Sequence, residues 1–240
     1  MIENNILSYI ENEYYCGYYN VSYGNHQRNK LDLTLPKKDT NGLILFIYVG
    51  SWMIGDKESY RKNLVDWSVN NGFTACTINY HYVTGIYSYD DILEDISKFL
   101  KKIKKIANNN DINLTKLLLT RHSAGGHLSL LYAYSKVYNA PIKPCCVVNL
   151  SGPTDLNDVN YYSKSALKVS FIFSSLTNNF ITKFKYINKD KILNEVSPIS
   201  FINLNTVSTI TAHGIKMMLS LIQMQQLYIN CYMITILIIF

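Results

Sequence analysis

At 240 residues the chain is long enough for one sizeable core or at most two small ones, and its 48% apolar content is that of an ordinary globular domain. The net charge of +6 comes from lysines spread along the chain, with one local run at Lys101–Lys105 (KKIKK) that reads as the solvated face of a helix. No basic stripe interleaved with aromatics and no nucleic-acid module is present, which excludes nucleic-acid binding. Five cysteines, an odd number with no C-x-x-C pair, do not suggest a disulfide framework; Cys76 and Cys145-Cys146 lie in apolar strand-like runs and read as buried reduced thiols.

Residues 1–15 read as a short amphipathic lead-in. They lack a basic segment followed by an apolar one, so no signal peptide is read and a cytoplasmic location is expected. Residues 18–23 and 31–35 flank the polar turn Gly24-Asn25-His26-Gln27 and predict a hairpin or two early strands. Residues 36–41 form a polar loop. Residues 43–48 (LILFIY) are a continuous apolar run, as expected of a strand covered on both faces. They end in the turn Val49-Gly50-Ser51-Trp52. A helix over 60–70 is closed by Gly72, and 73–80 (FTACTINY) is a second buried strand. Over 90–107 the spacing of Ile92, Ile96, Leu100 and Ile103 predicts an amphipathic helix.

The chain is organised around residues 117–131, LLLTRHSAGGHLSLL. An apolar strand meets His122-Ser123-Ala124-Gly125-Gly126, and a helix follows over 126–137. A strand, a tight turn carrying a serine, and a helix make a nucleophile elbow, which holds a hydroxyl proud of a sheet at a helix N-terminus. The strand at 145–150 (CCVVNL) ends in Ser151-Gly152-Pro153. Residues 154–203 read as an insertion of short helices over the carboxyl ends of the strands. A last strand at 206–212 ends in His213-Gly214. Strands alternating with helices imply an α/β fold, one domain over 1–240, with a mostly parallel sheet and helices on both faces.

The stretches LILFIYVGSWMIGDK, FTACTINYHYV, LLLTRHSAGGHLSLL, VVNLSGPTDL and SPISFINLNTVSTITAHG resemble the α/β-hydrolase superfamily. More narrowly they resemble the esterase/lipase group with an HGGGW-type oxyanion loop, akin to feruloyl-esterase-like and kynurenine-formamidase-like hydrolases. The resemblance implies hydrolysis of a small-molecule carboxylic ester by a Ser-Asp-His triad, with no metal and no cofactor. It makes Ser123 the nucleophile. It makes Ala124 one oxyanion donor, and it puts Tyr48-Val49-Gly50-Ser51-Trp52 where the family has H-G-G-G-W, so that Gly50, Ser51 and Trp52 supply the others.

The departures are specific. Tyr48 stands for His, Val49 and Ser51 for Gly, and Arg121 for the first glycine of G-x-S-x-G. Val49 is expected to be the most damaging, because a β-branched residue tolerates positive φ poorly. Arg121 must send a long charged side chain out of a crowded junction, at a cost of ~1–3 kcal/mol. Each is a single-nucleotide change. The family's aspartate follows this last His-Gly as HGxxDxxVP; here Ile215-Lys216-Met217-Met218 follows, and no later histidine occurs in these 240 residues.

Residues 217–240 contain no charge, Gly or Pro. Methionine has one codon, so Met217-Met218 read one base out of phase must give aspartate. Lys216-Met217 gives Asp or Asn, and allowed codons restore HGIKDDVVPY. The tail is therefore expected to be a frameshifted reading, with the last strand and helix of the fold missing. As written, its apolar end at 229–240 is a buried helix or strand; a bilayer span needs ~20 apolar residues. Of the remaining histidines, His122, His127, His26 and His81 read as structural, His81 being the least excluded as a base. The expectation is an esterase fold with little activity. The alternatives are a catalytically dead hydrolase-like binding protein and a protein held at a membrane by its tail.

Overall fold

The computed structural model describes residues 8–158, 160–181, 189–213 and 233–235. The chain begins with three antiparallel strands, β1 (Ser8–Glu11), β2 (Tyr15–Ser22) and β3 (Lys30–Pro36). β2 and β3 form the hairpin expected around residues 24–27. β1 is new: four exposed residues, expected as an amphipathic lead-in, pair with β2 from Ser8↔Tyr19 to Glu11↔Cys16.

Five parallel strands follow: β4 (Leu43–Ile47), β5 (Thr74–Ile78), β6 (Leu117–His122), β7 (Pro144–Leu150) and β8 (Ser208–Ala212). The connections between the first four are the helices α1 (Arg61–Asn70), α2 (Tyr89–Asn108) and α3 (Ala124–Ser135), as parallel pairing requires. With a short last strand, β9 (Met233–Thr235), the sheet order is β1-β2-β3-β5-β4-β6-β7-β8-β9. The carboxyl ends of β4, β5, β6, β7 and β8 therefore share one face, where open α/β sheets bind ligands.

β4 shows why its run has no polar alternation. Leu43, Leu45 and Ile47 join the main core, to which α2 contributes Ile92, Ile96, Phe99, Leu100 and Ile103. Ile44 and Phe46 face the other way and pack with Val65 of α1. Of the thiols expected to be buried, Cys76 on β5 is, whereas Cys145 on β7 is exposed. α2 keeps the expected apolar face and starts where the Ser88 backbone N–H donates to the Asp91 carboxylate at 2.8 Å.

Between β7 and β8 lie α4 (Asn160–Thr177), α5 (Lys189–Glu195) and a 3₁₀ turn at Pro198–Phe201. The insertion is less fragmented than expected, since α4 alone runs for 18 residues. Ser197 closes its base: its hydroxyl accepts from the Leu156 N–H at 2.8 Å and donates to the Leu193 carbonyl at 2.6 Å. At the far edge the sequence leads one to expect the last strand to be missing. Instead a three-residue strand, β9 (Met233–Thr235), pairs parallel with Thr209–Thr211 of β8. The ladder of β8 offers N–H and C=O groups on that side, and an extended segment satisfies them. The expected loss of the last helix, and the rest of the tail reading over 217–240, lie outside the described residues. No helix among the described residues is long and apolar enough to cross a membrane.

Candidate active site

β6 ends at His122, and the next residue, Ser123, has φ 54° and ψ −129° before α3 begins at Ala124. This left-handed conformation is costly for a residue with a Cβ, and it persists only where the surroundings impose it. The constraints are visible on both sides. The Ser123 N–H donates to the Leu150 carbonyl at 3.0 Å, and the Ser123 carbonyl accepts from the His127 N–H at 3.0 Å. α3 then presses its first turn against the end of β4: a Cβ on Gly125 would collide with the Ile47 carbonyl oxygen. The SAGG string is thus explained by close approach, and the expected strand, tight turn and helix are present. The Ser123 side chain is half-buried and makes no hydrogen bond among the described residues.

Arg121 does not leave the junction. It is buried, 8% exposed, paired across the ladder with Asn149 of β7, while the neighbouring His122 is exposed. The expectation of an escaping side chain fails because alternation along β6 turns position 121 inward and position 122 outward.

The loop after β4 is the second component. Gly50, Ser51 and Trp52 have φ of 146°, 49° and 62°, three successive residues with positive φ. The Gly50 carbonyl accepts from the N–H groups of Met53 and Ile54, both at 3.0 Å, which winds the loop into a tight turn. A Cβ on Gly50 would strike the Ile54 carbonyl, so this glycine is required. Val49 is not among the positive-φ residues. Its β-branch is accommodated, and the strain falls on Ser51 and Trp52 instead. The backbone N–H groups of Ser51, Trp52 and Ala124 donate no hydrogen bond among the described residues.

His127 fastens this loop to the elbow helix. The Trp52 indole N–H donates to His127 Nδ1 at 3.1 Å, and the rings meet edge-on with centroids 5.1 Å apart. The ring proton therefore sits on Nε2, which donates to the Val196 carbonyl at 2.7 Å. Burial pushes the His127 pKa down to about 4, against the smaller upward pull of the Val196 carbonyl. With both nitrogens engaged and the ring neutral, His127 has no lone pair to offer a serine proton.

The other histidines lie elsewhere on the strand-end face. His81, beyond β5, has Nδ1 2.6 Å from Asp95 Oδ2, and its own N–H donates to the same oxygen at 2.9 Å. Asn29 Nδ2 donates to Asp95 Oδ1 at 3.0 Å. Burial raises the Asp95 pKa, and these hydrogen bonds oppose the rise. The His26 ring packs tilted against His81 with centroids 4.1 Å apart. β4 separates β5 from β6, so this pair is two strand spacings, about 10 Å, from the line of Ser123. His213, just after β8, is buried, and neither ring nitrogen has a partner among the described residues. Burial lowers its pKa. Residues 215–218, where an acid is sought, lie outside the described residues. No cluster of metal-ligating side chains occurs among the described residues.

Besides the His81–Asp95 pair, sequence reasoning missed two elements here. One is the Trp52–His127 contact, made across 75 positions. The other is Arg28, whose guanidinium reaches the loop after β4 from the β2–β3 turn. Neither has a local signal in the chain.

The BD-FAE family model matches residues 31–226. A curated non-reducing polyketide synthase, atr1 of Stereocaulon alpinum, is 26% identical over an alignment of 155 residues that covers 59% of this chain and only 6% of that protein's length. Among solved structures, an inhibited esterase B from Lactobacillus rhamnosis superposes with a TM-score of 0.77 at 15% identity, over 96% of this chain and 77% of that one. A truncated carbohydrate esterase from gut microbiota gives 0.75 at 18%, over 96% and 89%. Carboxyl esterase 2 of Tuber melanosporum gives 0.66 at 15%, over 88% and 72%. At these identities the likeness establishes the α/β-hydrolase fold.

Proposed function

The chain belongs to the BD-FAE family of esterase-like α/β-hydrolases, and on that premise we propose that it acts on carboxylic esters through Ser123. The observation that carries the reading is the conformation of Ser123, held at φ 54° between a parallel strand and a helix N-terminus. Ser123 Oγ attacks the ester carbonyl carbon, the alcohol departs, and water releases the acid from the acyl-enzyme. The N–H groups of Ala124, Ser51 and Trp52, with Gly50 shaping the turn, hold the oxyanion. The segment 154–203 caps the strand ends and shapes the pocket for the substrate.

What the site needs and these residues do not offer is a base. Among the described residues His127 has both nitrogens engaged, His81 sits on Asp95 beyond β5, and His213 follows β8; β5 and β8 each lie two strands from β6. We therefore assign the 240-residue chain a low turnover. In subtilisin, loss of the serine or histidine costs about 10⁶ in kcat. The same engagement of His127 is what favours the second reading, a hydrolase-like protein that binds an ester without turning it over.

The test is a fluorophosphonate, which phosphonylates a serine hydroxyl with release of fluoride. Slow stoichiometric modification of the peptide bearing Ser123, abolished in Ser123→Ala, is the expected result. Modification no greater than in Ser123→Ala would leave the binding reading. Sequencing the gene and transcript through the Lys216 codon tests the frame: an extra or missing base that restores HGIKDDVVPY with a later histidine supplies the acid and base.

A further inference from the structure

Arg28 lies in the turn between β2 and β3, twenty positions before the loop it touches. Its guanidinium engages three acceptors in three places. Nε donates to the Tyr80 carbonyl at 2.9 Å, beyond β5. Nη2 donates to the Tyr48 hydroxyl at 3.2 Å and to the Gly55 carbonyl at 3.1 Å. Tyr48 and Gly55 are the two ends of the segment that contains the positive-φ residues Gly50, Ser51 and Trp52.

The plane of the guanidinium is fixed as well. Its carbon sits 3.6 Å from the centroid of the Tyr82 ring, a stacking that suits a flat, weakly hydrated cation. The Tyr82 hydroxyl donates at 2.6 Å to the same Gly55 carbonyl. Tyr48 in turn stacks on Tyr80 with ring centroids 4.2 Å apart and planes within 7°. One cation thus joins the start of the loop, its end, and the segment after β5. The turn carrying Arg28 is itself anchored: Asn29 donates to buried Asp95, and His26 Nδ1 accepts from the Arg28 N–H at 3.2 Å.

We propose that Arg28 is a positioning residue for the oxyanion-binding segment, setting the distance between its two ends and so the aim of the Ser51 and Trp52 N–H groups. The proposal rests on the reading of Ser123 as an esterase nucleophile. Arg28 touches neither the serine nor the acyl group; it acts through Tyr48 and Gly55. The three acceptors lie around one planar fork, which a lysine, with a single nitrogen on a flexible stem, cannot reproduce. Trp52 is held independently by His127, and the Val83 N–H donates to the Trp52 carbonyl at 3.1 Å. Loss of Arg28 should therefore loosen the loop without unfolding the domain.

The experiment compares wild type with Arg28→Met, Arg28→Lys and Arg28→Ala. Two quantities are read: the rate of fluorophosphonate modification of Ser123, and backbone amide exchange over 50–54, with α2 as the internal control. The expected result is a rate roughly 10- to 100-fold lower in Arg28→Met and in Arg28→Lys, since misplacement by about 1 Å costs on that order. Exchange over 50–54 is faster, exchange in α2 is unchanged, and methylguanidinium added to Arg28→Ala recovers part of the rate. A rate and an exchange pattern equal to wild type in all three variants would overturn the proposal. If wild type itself is not modified at Ser123, the esterase reading falls and exchange alone decides. Faster exchange confined to 50–54 then still supports Arg28 as the residue that sets the loop, and unchanged exchange overturns it.

Discussion

His127 and His213 are both buried beyond the carboxyl end of a parallel strand, and burial lowers the pKa of each. Their surroundings differ completely. His127 has a donor on one nitrogen and an acceptor for the other, and it ties the loop after β4 to the helix after β6. His213 has neither among the described residues. One imidazole is a structural fastener whose hydrogen bonds are fully used; the other has none to use among the described residues. The serine side of the strand-end face is therefore held by interactions that a folded scaffold completes by itself, while the β8 side presents a polar ring without a described counterpart.

Removal of each ring tests that contrast. His127→Phe keeps the ring but strands the Trp52 indole N–H and the Val196 carbonyl, two buried groups at about 1–3 kcal/mol each. We expect a loss of about 4 kcal/mol in urea unfolding, against less than about 1 kcal/mol for His213→Phe. Equal losses would break the comparison.

The pH dependence sharpens it. The folded pKa of His127, about 4, lies below the 6.5 of an unperturbed histidine. Its contribution is fully present above 6.5 and is lost as pH falls toward 4, because the unfolded chain then binds a proton the folded one refuses. Burial lowers His213 as well, so the two proteins should differ by the His127 share alone, a loss of up to about 3 kcal/mol between those pH values that wild type shows in excess of His127→Phe. Asp95 works in the opposite sense, since its raised pKa favours the folded state at low pH. A slope that is the same in both proteins would assign the titration elsewhere.

A smaller contrast concerns the backbone. Gly125 would drive a Cβ into the end of β4, whereas a Cβ on Gly85, at φ 82°, meets nothing within 4 Å. Gly125→Ala should cost about 2–3 kcal/mol through overpacking, and Gly85→Ala about 1 kcal/mol through its left-handed conformation alone. Chemical denaturation of the two variants side by side decides it.

The strands, the elbow and its helix were legible because each is written locally. Continuous apolar runs mark β4 and β5, and a strand-to-helix change of period brackets Ser123. β1 escaped because four exposed residues at a sheet edge carry no apolar alternation. The expectation for Val49 fails because a motif gives the order of residues but not their individual dihedrals; the strained positive φ falls on Ser51 and Trp52, two and three places after Val49. Arg28, the His81–Asp95 pair and the Trp52–His127 contact were invisible for a common reason. Each joins segments that the sheet topology brings together, and a single sequence does not encode which polar side chains will meet there.

The fastening of Trp52 to His127 has an optical consequence. The chain has two tryptophans, and they sit in opposite environments: Trp67 is 57% exposed and Trp52 6%. An indole in water emits at longer wavelength than one in an apolar setting, so the two contributions separate along the spectrum. A protonated imidazole in contact with an indole quenches its emission, and only Trp52 has such a neighbour in the ring contacts described. The blue side of the fluorescence is thus a built-in gauge of the loop, dimming when His127 takes a proton and shifting to the red when the indole leaves its seat.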